Sequence, residues 1–309
     1  MSLFLAKRFL TFVATLFGAT IVTFLALEIL PGDPALVILG INAPESAVEA
    51  LHIKLGLDRP PLERYLEWVG DLAQGRFGES YTYGVSVDEL LRARLTITLP
   101  LAFMSMVLSV AAALVLGLFA ASRHNRAGDL SVMGFSQLGI SVPNFWLALL
   151  LVLFFAVNLR WFSAGGFPGW DESVWRSIKA LILPAIALAT VQGAILARFT
   201  RSAVLETMRE DYVRTARAKG LTRRATLWRH VLRNAMIPVV TILALSFGTL
   251  FSGALITETM FSYLGMGKLI YDSILGNDFN LALICLLFAT LVTLLANLAA
   301  DFLGEARGS

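Results

Sequence analysis

Long apolar runs alternate with shorter polar stretches along this chain, and that pattern sets its first reading. A helix needs about 20 predominantly apolar residues to cross a hydrocarbon core. Such runs fall at 9–30, 97–121, 132–159, 180–199, 235–257 and 281–303, and they predict six transmembrane helices. The fourth is the weakest, because Pro184, Gln192 and several small residues dilute it. Pro143 and Pro238 sit in or near spans, where proline is tolerated and commonly kinks the helix. Gly248, Gly253 and Ala254 in the fifth run are small residues of the kind that let helices pack closely in lipid.

Composition strengthens this picture. The 309 residues are 57% hydrophobic and 15% charged, with mean hydropathy +0.73, whereas a soluble domain carries about 25% charged residues. The formal charge of +3 is too small to imply a nucleic-acid partner, and what matters is where the basic residues lie. The single cysteine, Cys285, lies in an apolar run and reads as a small filler. Together with the scattered His52, His124 and His230 it makes no metal-ligand cluster. Lys7 and Arg8 precede the first run as they would in a signal peptide. That run exceeds the usual length of about 7–15 residues, however, and no small-x-small cleavage site follows it before Pro31. It reads as an uncleaved signal anchor.

Lys and Arg placement orients the chain. With the N-terminus inside, the inner segments are 1–8, 122–131, 200–234 and 304–309. Counting Arg198 at the membrane edge, these hold 15 of the 25 basic residues. Most acids, from Glu45 to Glu89, fall on the other side. An even number of spans returns the C-terminus to the inside, so N-in, C-in is the consistent topology. The outer segment 31–96 carries amphipathic helical pattern near 47–55 and 62–72, divided by Gly56 and Pro60-Pro61. It reads as a helical insertion outside the membrane. The expected organisation is therefore 1–30, the tail and first span; 31–96, the outer helical segment; 97–303, a five-helix core; and 304–309, a short tail.

The inner loop 198–234 is the most basic part of the chain, and Gly220 divides it into two helical stretches. Before Gly220, residues Tyr212, Ala216 and Lys219 recur at helical spacing. Glycine at 220 suits a helix C-terminus closed in the left-handed conformation. After it, Leu227, Val231 and Leu232 face one way while Arg223, Arg224, Arg229 and Arg233 can face water or headgroups. The product is a helix–glycine–helix element under the membrane, with Ala and Gly leaving room for another protein. Positive-inside anchoring alone accounts for the arginines. It does not account for the Ala-x-x-x-Gly spacing or for the acids Glu206, Glu210 and Asp211 at the loop's start.

This loop resembles the signature loop of ATP-binding-cassette importer permeases. Ala216 and Gly220 fit the general pattern, while Arg214-Thr215 stand where Glu-Ala is expected. The likeness is closer to one branch, the dipeptide, oligopeptide and nickel permeases of the "B" kind. Tyr-x-Arg-Thr-Ala-Arg-Ala-Lys-Gly-Leu at 212–221 and Arg-Asn-Ala-x-x-Pro at 233–238 are similar to its strings. Further markers include Leu-Pro-Gly-Asp-Pro at 30–34, Leu-Gly-Leu-Asp-Arg-Pro at 55–60 and Gly-Arg-Phe-Gly-Glu-Ser at 75–80. Val-Pro-Asn-Phe-Trp at 142–146, Leu-Pro-Ala at 183–185, Thr-Glu-Thr-Met-Phe at 257–261 and Gly-Met-Gly at 265–267 complete the set. The branch's usual C-terminal Tyr-x-x-x-Asn/Asp-Pro-Arg is not found.

The resemblance implies a type I importer transmembrane fold in a bacterial inner membrane and an assembly of several chains. A homologous second permease would form a heterodimer with this one, and two ATPase subunits would bind the ATP and Mg. A periplasmic or lipid-anchored binding protein would deliver substrate, and membrane lipids would surround the spans. It assigns the ATPase-coupling loop to Asp211, Tyr212, Arg214, Thr215, Ala216, Arg217, Lys219, Gly220 and Leu221. Di- or oligopeptides are the expected substrate, with nickel or another metal chelate as the alternative. No cofactor is expected on this chain. The fragment Gly265-Met266-Gly267-Lys268 fails as a phosphate loop, since Ser262 replaces the first glycine and Leu269 follows the lysine. No catalytic set is recognised.

Charged residues inside a membrane are costly. Glu28 and Asp301 lie near span ends, where both can reach the interface. Gln137, Asn144, Gln192 and Asn297 are read as helix–helix hydrogen-bonding groups, and no substrate-path residue is assigned. An autonomous channel or secondary transporter is the competing reading. The absence of an acidic or basic relay within the predicted spans weighs against it.

Overall fold

The computed structural model describes residues 2–29, 32–40 and 42–308, with the side chains of 2–5, 223, 224, 237, 244, 252 and 303–308 outside the description. The Leu-Pro pair that opens the 30–34 motif therefore lies outside it. Among the described residues the backbone is helical, apart from loops and one antiparallel bridge between Glu79 and Ser86.

Four helices are long and apolar enough to cross a membrane by themselves. They are α1 (Ser2–Ile29), α5 (Val87–Ser122), α8 (Val174–Thr207) and α13 (Phe279–Gly308). The third and fifth predicted spans are bent pairs. Helix α6 (Ala127–Ser141) meets α7 (Asn144–Leu151), which continues as a π-helical Val152–Asn158, at 99°. The cause is local. Pro143 caps α7, and Val142 before it is extended at φ −82°, ψ 121°, because a residue preceding proline is pushed out of the α region. The second pair bends by 44° between Leu227–Met236 and Pro238–Phe251, within α11 (Leu232–Met260). Pro100 and Pro184, in contrast, lie inside α5 and α8.

The chain forms two compact units. The first comprises Met1–Thr98 and Leu264–Leu294. It holds α1, α2 (Pro34–Leu39), α3 (Glu45–Leu55), α4 (Pro61–Ala73), α12 (Met266–Leu275) and the first part of α13. Phe24 and Leu27 of α1 are buried with Ala282 and Leu283 of α13, and Tyr65 and Trp68 of α4 pack against them. The Tyr65 ring meets Phe24 edge-on at 5.3 Å, and its hydroxyl hydrogen-bonds Thr20 at 2.8 Å. Asp33 caps α2 by accepting from the Ala35 N–H, and it also bonds His52 of α3 at 2.8 Å. Burial raises the Asp33 carboxyl, yet the bonds from His52 and Ala35 outweigh that effect and hold it below the ordinary carboxylate value.

The Gly-Arg-Phe-Gly-Glu-Ser string has a structural use in this unit. Asn280 at the start of α13 donates to the Phe77 and Glu79 carbonyls, at 3.1 and 2.9 Å. Gly78 is left-handed at φ 69°, and a Cβ there would lie 2.6 Å from Asn280 Nδ2. Fully buried Asp278 accepts from Ser80 Oγ and the Thr82 N–H, and it caps α13 through the Leu281 N–H.

The second unit comprises Leu99–Tyr263 and Leu295–Ser309, and α8 is its most enclosed helix. Two thirds of its apolar window is buried, against about a third or less in the other unbroken spans. The small residues that weaken its hydropathy are the reason, because they admit neighbours. A Cβ on Gly117 of α5 would lie 2.7 Å from Thr200 Cβ and 2.9 Å from the Ala197 carbonyl, both on α8. Gly139 of α6 and Gly193 of α8 leave more room, where a Cβ would lie 3.4 Å from Ala194 Cβ and 3.3 Å from Ala112 Cβ. Gly117→Leu is therefore expected to force α5 and α8 apart and cost about 1–3 kcal/mol, as overpacking does. Gly134→Leu, where nothing lies within 4 Å, should leave stability unchanged. Thermal unfolding of the two variants in detergent makes the comparison.

Candidate functional site

The sequence-assigned loop forms a short helix that follows α8 and precedes α11. Helix α8 runs past the predicted membrane edge to Thr207, and a turn at Met208–Glu210 leads into α9 (Asp211–Ala218). Glu210 occupies the N-cap and Asp211 the first turn, where negative charge suits the helix dipole. Two side chains anchor the helix. Val213 is 0% exposed and Ala216 8%, and both are buried in this unit. Val213 belongs to an apolar cluster with Ala121, Val204, Val231 and Ala235.

This arrangement changes the role of one predicted residue. The Ala216 methyl turns into the chain's own interior, so the room it leaves is for α9 to seat on its own unit. The seam is set by Val213 and Ala216, three residues apart, while Tyr212 and Lys219, which share helical spacing with Ala216, are exposed. The outward face is formed by Asp211, Tyr212, Arg214, Thr215, Arg217, Lys219 and Gly220, all exposed. Arg214 reaches Asp211 at 3.6 Å, the Thr215 hydroxyl donates to the Asp211 carbonyl, and the Tyr212 hydroxyl accepts from Asn234 at 2.7 Å.

Gly220 closes the helix as its sequence position predicts. Its φ is +88°, and the Leu221 N–H reaches back to the Ala216 carbonyl at 3.3 Å while its own N–H bonds Arg217. Thr222 then starts α10 (Arg223–Thr226), with its hydroxyl accepting from the Ala225 N–H. A π-helical turn, Leu227–Val231, joins α10 to α11.

A buried ion pair between α6 and α8 is not apparent in the sequence. Asp129 of α6, 1% exposed, accepts two bonds from Arg201 of α8 at 2.6 Å each. It also accepts from the Asn125 N–H at 2.9 Å, and His124 stands at 3.4 Å. Asn125 is left-handed at φ +59°, which folds the α5–α6 turn around the carboxylate. Arg201 counts in the sequence only as an inside charge, and no spacing rule links residues 72 apart.

The polar residues at membrane depth divide. Gln137 of α6 accepts from Arg198 of α8, and Gln192 of α8 donates to the Ser246 carbonyl of α11, as helix–helix bonding predicts. The buried Asn144 Oδ1 has no partner among the described residues. Glu28 is paired with Arg64 at 3.1 Å. Helix α11 extends beyond 257 to Met260, so Glu258 lies within it, fully buried. The fifth predicted run ends at 257, one residue short of this carboxyl group.

Long apolar helices carrying a short amphipathic helix, seated on its own chain and presenting a polar face, define the transmembrane subunit of a transporter. The chain belongs to the family described as binding-protein-dependent transport system inner membrane component, whose model matches residues 113–306. The corresponding N-terminal model matches residues 1–102. It is 38% identical to the di/tripeptide transport system permease protein DppB of Pseudomonas aeruginosa, over 97% of this chain and 96% of the relative. It is 35% identical to the oligopeptide transport system permease protein AppB of Bacillus subtilis, over 98% and 97%. Among solved structures, the inward-facing MetNI methionine ABC transporter matches with a TM-score of 0.59 at 19% identity, covering 70% of this chain and 95% of that one. An amino acid ABC transporter matches with a TM-score of 0.54 at 16% identity, over 71% and 94%. These two likenesses concern the fold alone. The chain is thus an inner-membrane permease subunit of an ABC importer.

Proposed function

We propose that this subunit translocates di- or oligopeptides, with six spans, both termini inside, and α9 as the element that receives the ATPase stroke. The observation that carries the substrate class is the identity with peptide permeases along nearly the whole chain. The coupling role rests on the shape of α9. Its apolar side is fixed to α5, α8 and α11 through Val213, while its charged side is open. A push on that side is therefore passed to three long helices as a rigid-body displacement. The assembly contains a homologous second permease, two ATPases and a substrate-binding protein.

Mild-detergent purification of the tagged chain is expected to recover a second permease and two ATPase subunits. Vesicles holding that complex and the binding protein should accumulate labelled dipeptide only with ATP. Recovery of the chain alone, with uptake intact in the absence of ATP, would refute this. A complex that accumulates nickel and not peptide would transfer the reading to a metal chelate.

A further inference from the structure

The loop between α7 and α8 builds a second site at the opposite end of α8 from α9, about 50 Å away at 1.5 Å per residue along that 34-residue helix. It lines an open cavity of about 590 Å³, within the usual size range of small-ligand sites. Its charge is unlike that of the rest of the outer side. Arg160, Arg176 and Lys179 line it, against a single acid, Glu172; Asp171 adjoins the loop but does not line the cavity.

Only one of the three cations is neutralised by a carboxylate. Arg176 bonds Glu172 at 2.9 Å. Lys179 Nζ lies 5.6 Å from the Phe162 ring centroid, and Arg160 makes no ion pair among the described residues. The cavity is a built feature. The Gly166 N–H is bonded to the Phe261 carbonyl at 2.9 Å, and a Cβ at Gly165 would lie 2.8 Å from that same oxygen. Phe167 packs edge-on against Tyr263, whose hydroxyl donates to the Ala180 carbonyl. Trp161, which lines the cavity, is 57% exposed, and Val174 and Trp175 at the start of α8 are 58% and 70% exposed.

We infer that this cavity holds the phosphate headgroup of an outer-leaflet phospholipid, with Arg160 and Lys179 as its cationic contacts. A guanidinium and an ammonium match phosphate oxygens, and the first turn of α8 adds a positive dipole end. A soluble anion would satisfy the same cations. The exposed tryptophans favour the lipid, because indoles collect where headgroups meet acyl chains. The inference rests on the outward placement of residues 159–173 proposed above, which is tested separately. The exposed Ala164 of this loop gives the probe, since Ala164→Cys should react with an impermeant maleimide from outside only.

The decisive measurement uses the complete complex in nanodiscs containing phosphatidylglycerol. After detergent exchange, native mass spectrometry counts the lipid retained. Each lost cation should cost about a factor of five, so Arg160→Gln with Lys179→Gln should lower retention about twenty-five-fold. The charge-reversed pair, Arg160→Glu with Lys179→Glu, should abolish it. Assembly of the complex, read in the same spectra, shows that the variants fold. Retention equal to wild type in both assembled variants would overturn the inference. So would displacement of the lipid by inorganic phosphate, which would mark the site as one for a free anion.

Discussion

Asp129→Ala is expected to destabilise the purified chain by about 3–5 kcal/mol, the usual penalty for stranding one member of a buried ion pair. Arg201 would keep its charge in a site where it is only 20% exposed, with its bidentate partner removed. The Asn125 N–H would lose its acceptor at the same time. The penalty comes from the uncompensated charge more than from the lost attraction, so Asp129→Ala combined with Arg201→Met should regain much of the stability. Thermal unfolding of the wild type, the two single variants and the double variant in one detergent closes the double-mutant cycle. A double variant destabilised by the sum of the two single effects would show that the pair is not a coupled unit. Because Asp129 fixes the turn before α6 and Arg201 lies one helical turn before Leu205, which packs against the α9 seat, the single variant should also lose uptake.

Gly220→Val is expected to uncouple ATP hydrolysis from peptide uptake, while Gly220→Asn should retain most of the coupling. The distinction is conformational, since nothing lies within 4 Å of a Cβ at this position. At φ +88° a β-branched residue meets its own backbone, at about 1–2 kcal/mol or more, whereas asparagine tolerates the left-handed region. Valine would therefore reopen the turn that ends α9 and shift Lys219 and Leu221 relative to the exposed face. In reconstituted complexes the ATP hydrolysed per peptide imported should rise sharply for Val and little for Asn. Equal ratios in the two variants would remove Gly220 from the coupling element. Ala216→Trp tests a different link. Ala216 faces inward, so an indole there should lift α9 off its seat and lower stability as well as coupling.

The candidate helix was legible in the sequence because its signals are local. A glycine after a helical stretch, acids at the helix start and a helical period are all readable within about ten residues. Which side faces inward was less legible. Tyr212 and Val213 are both apolar neighbours, and only the positions of Val204, Val231 and Ala235 decide that Val213 is the one buried. The Asp129–Arg201 pair and Asp278 with its Ser80 and Thr82 donors were illegible for a further reason. Each joins residues far apart in the chain, and one sequence carries no signal for such pairing.

The sequence by itself determined that the chain is helical and apolar along its length, where the apolar runs fall, and which loop carries the helix–glycine–helix element. Those properties follow from hydrophobic period, proline and glycine placement, and charge, all set residue by residue. Pro143 and Pro238 marked where the third and fifth runs bend, but the tertiary structure alone decided by how much, and that the run with the weakest hydropathy, α8, is the most enclosed. It also decided that Ala216 serves the chain's own packing and that Glu258 is buried. The reason is shared. Small and polar side chains look weak when scored against lipid, but they are what allow helices to approach within contact distance, and who approaches whom is settled only when the helices pack.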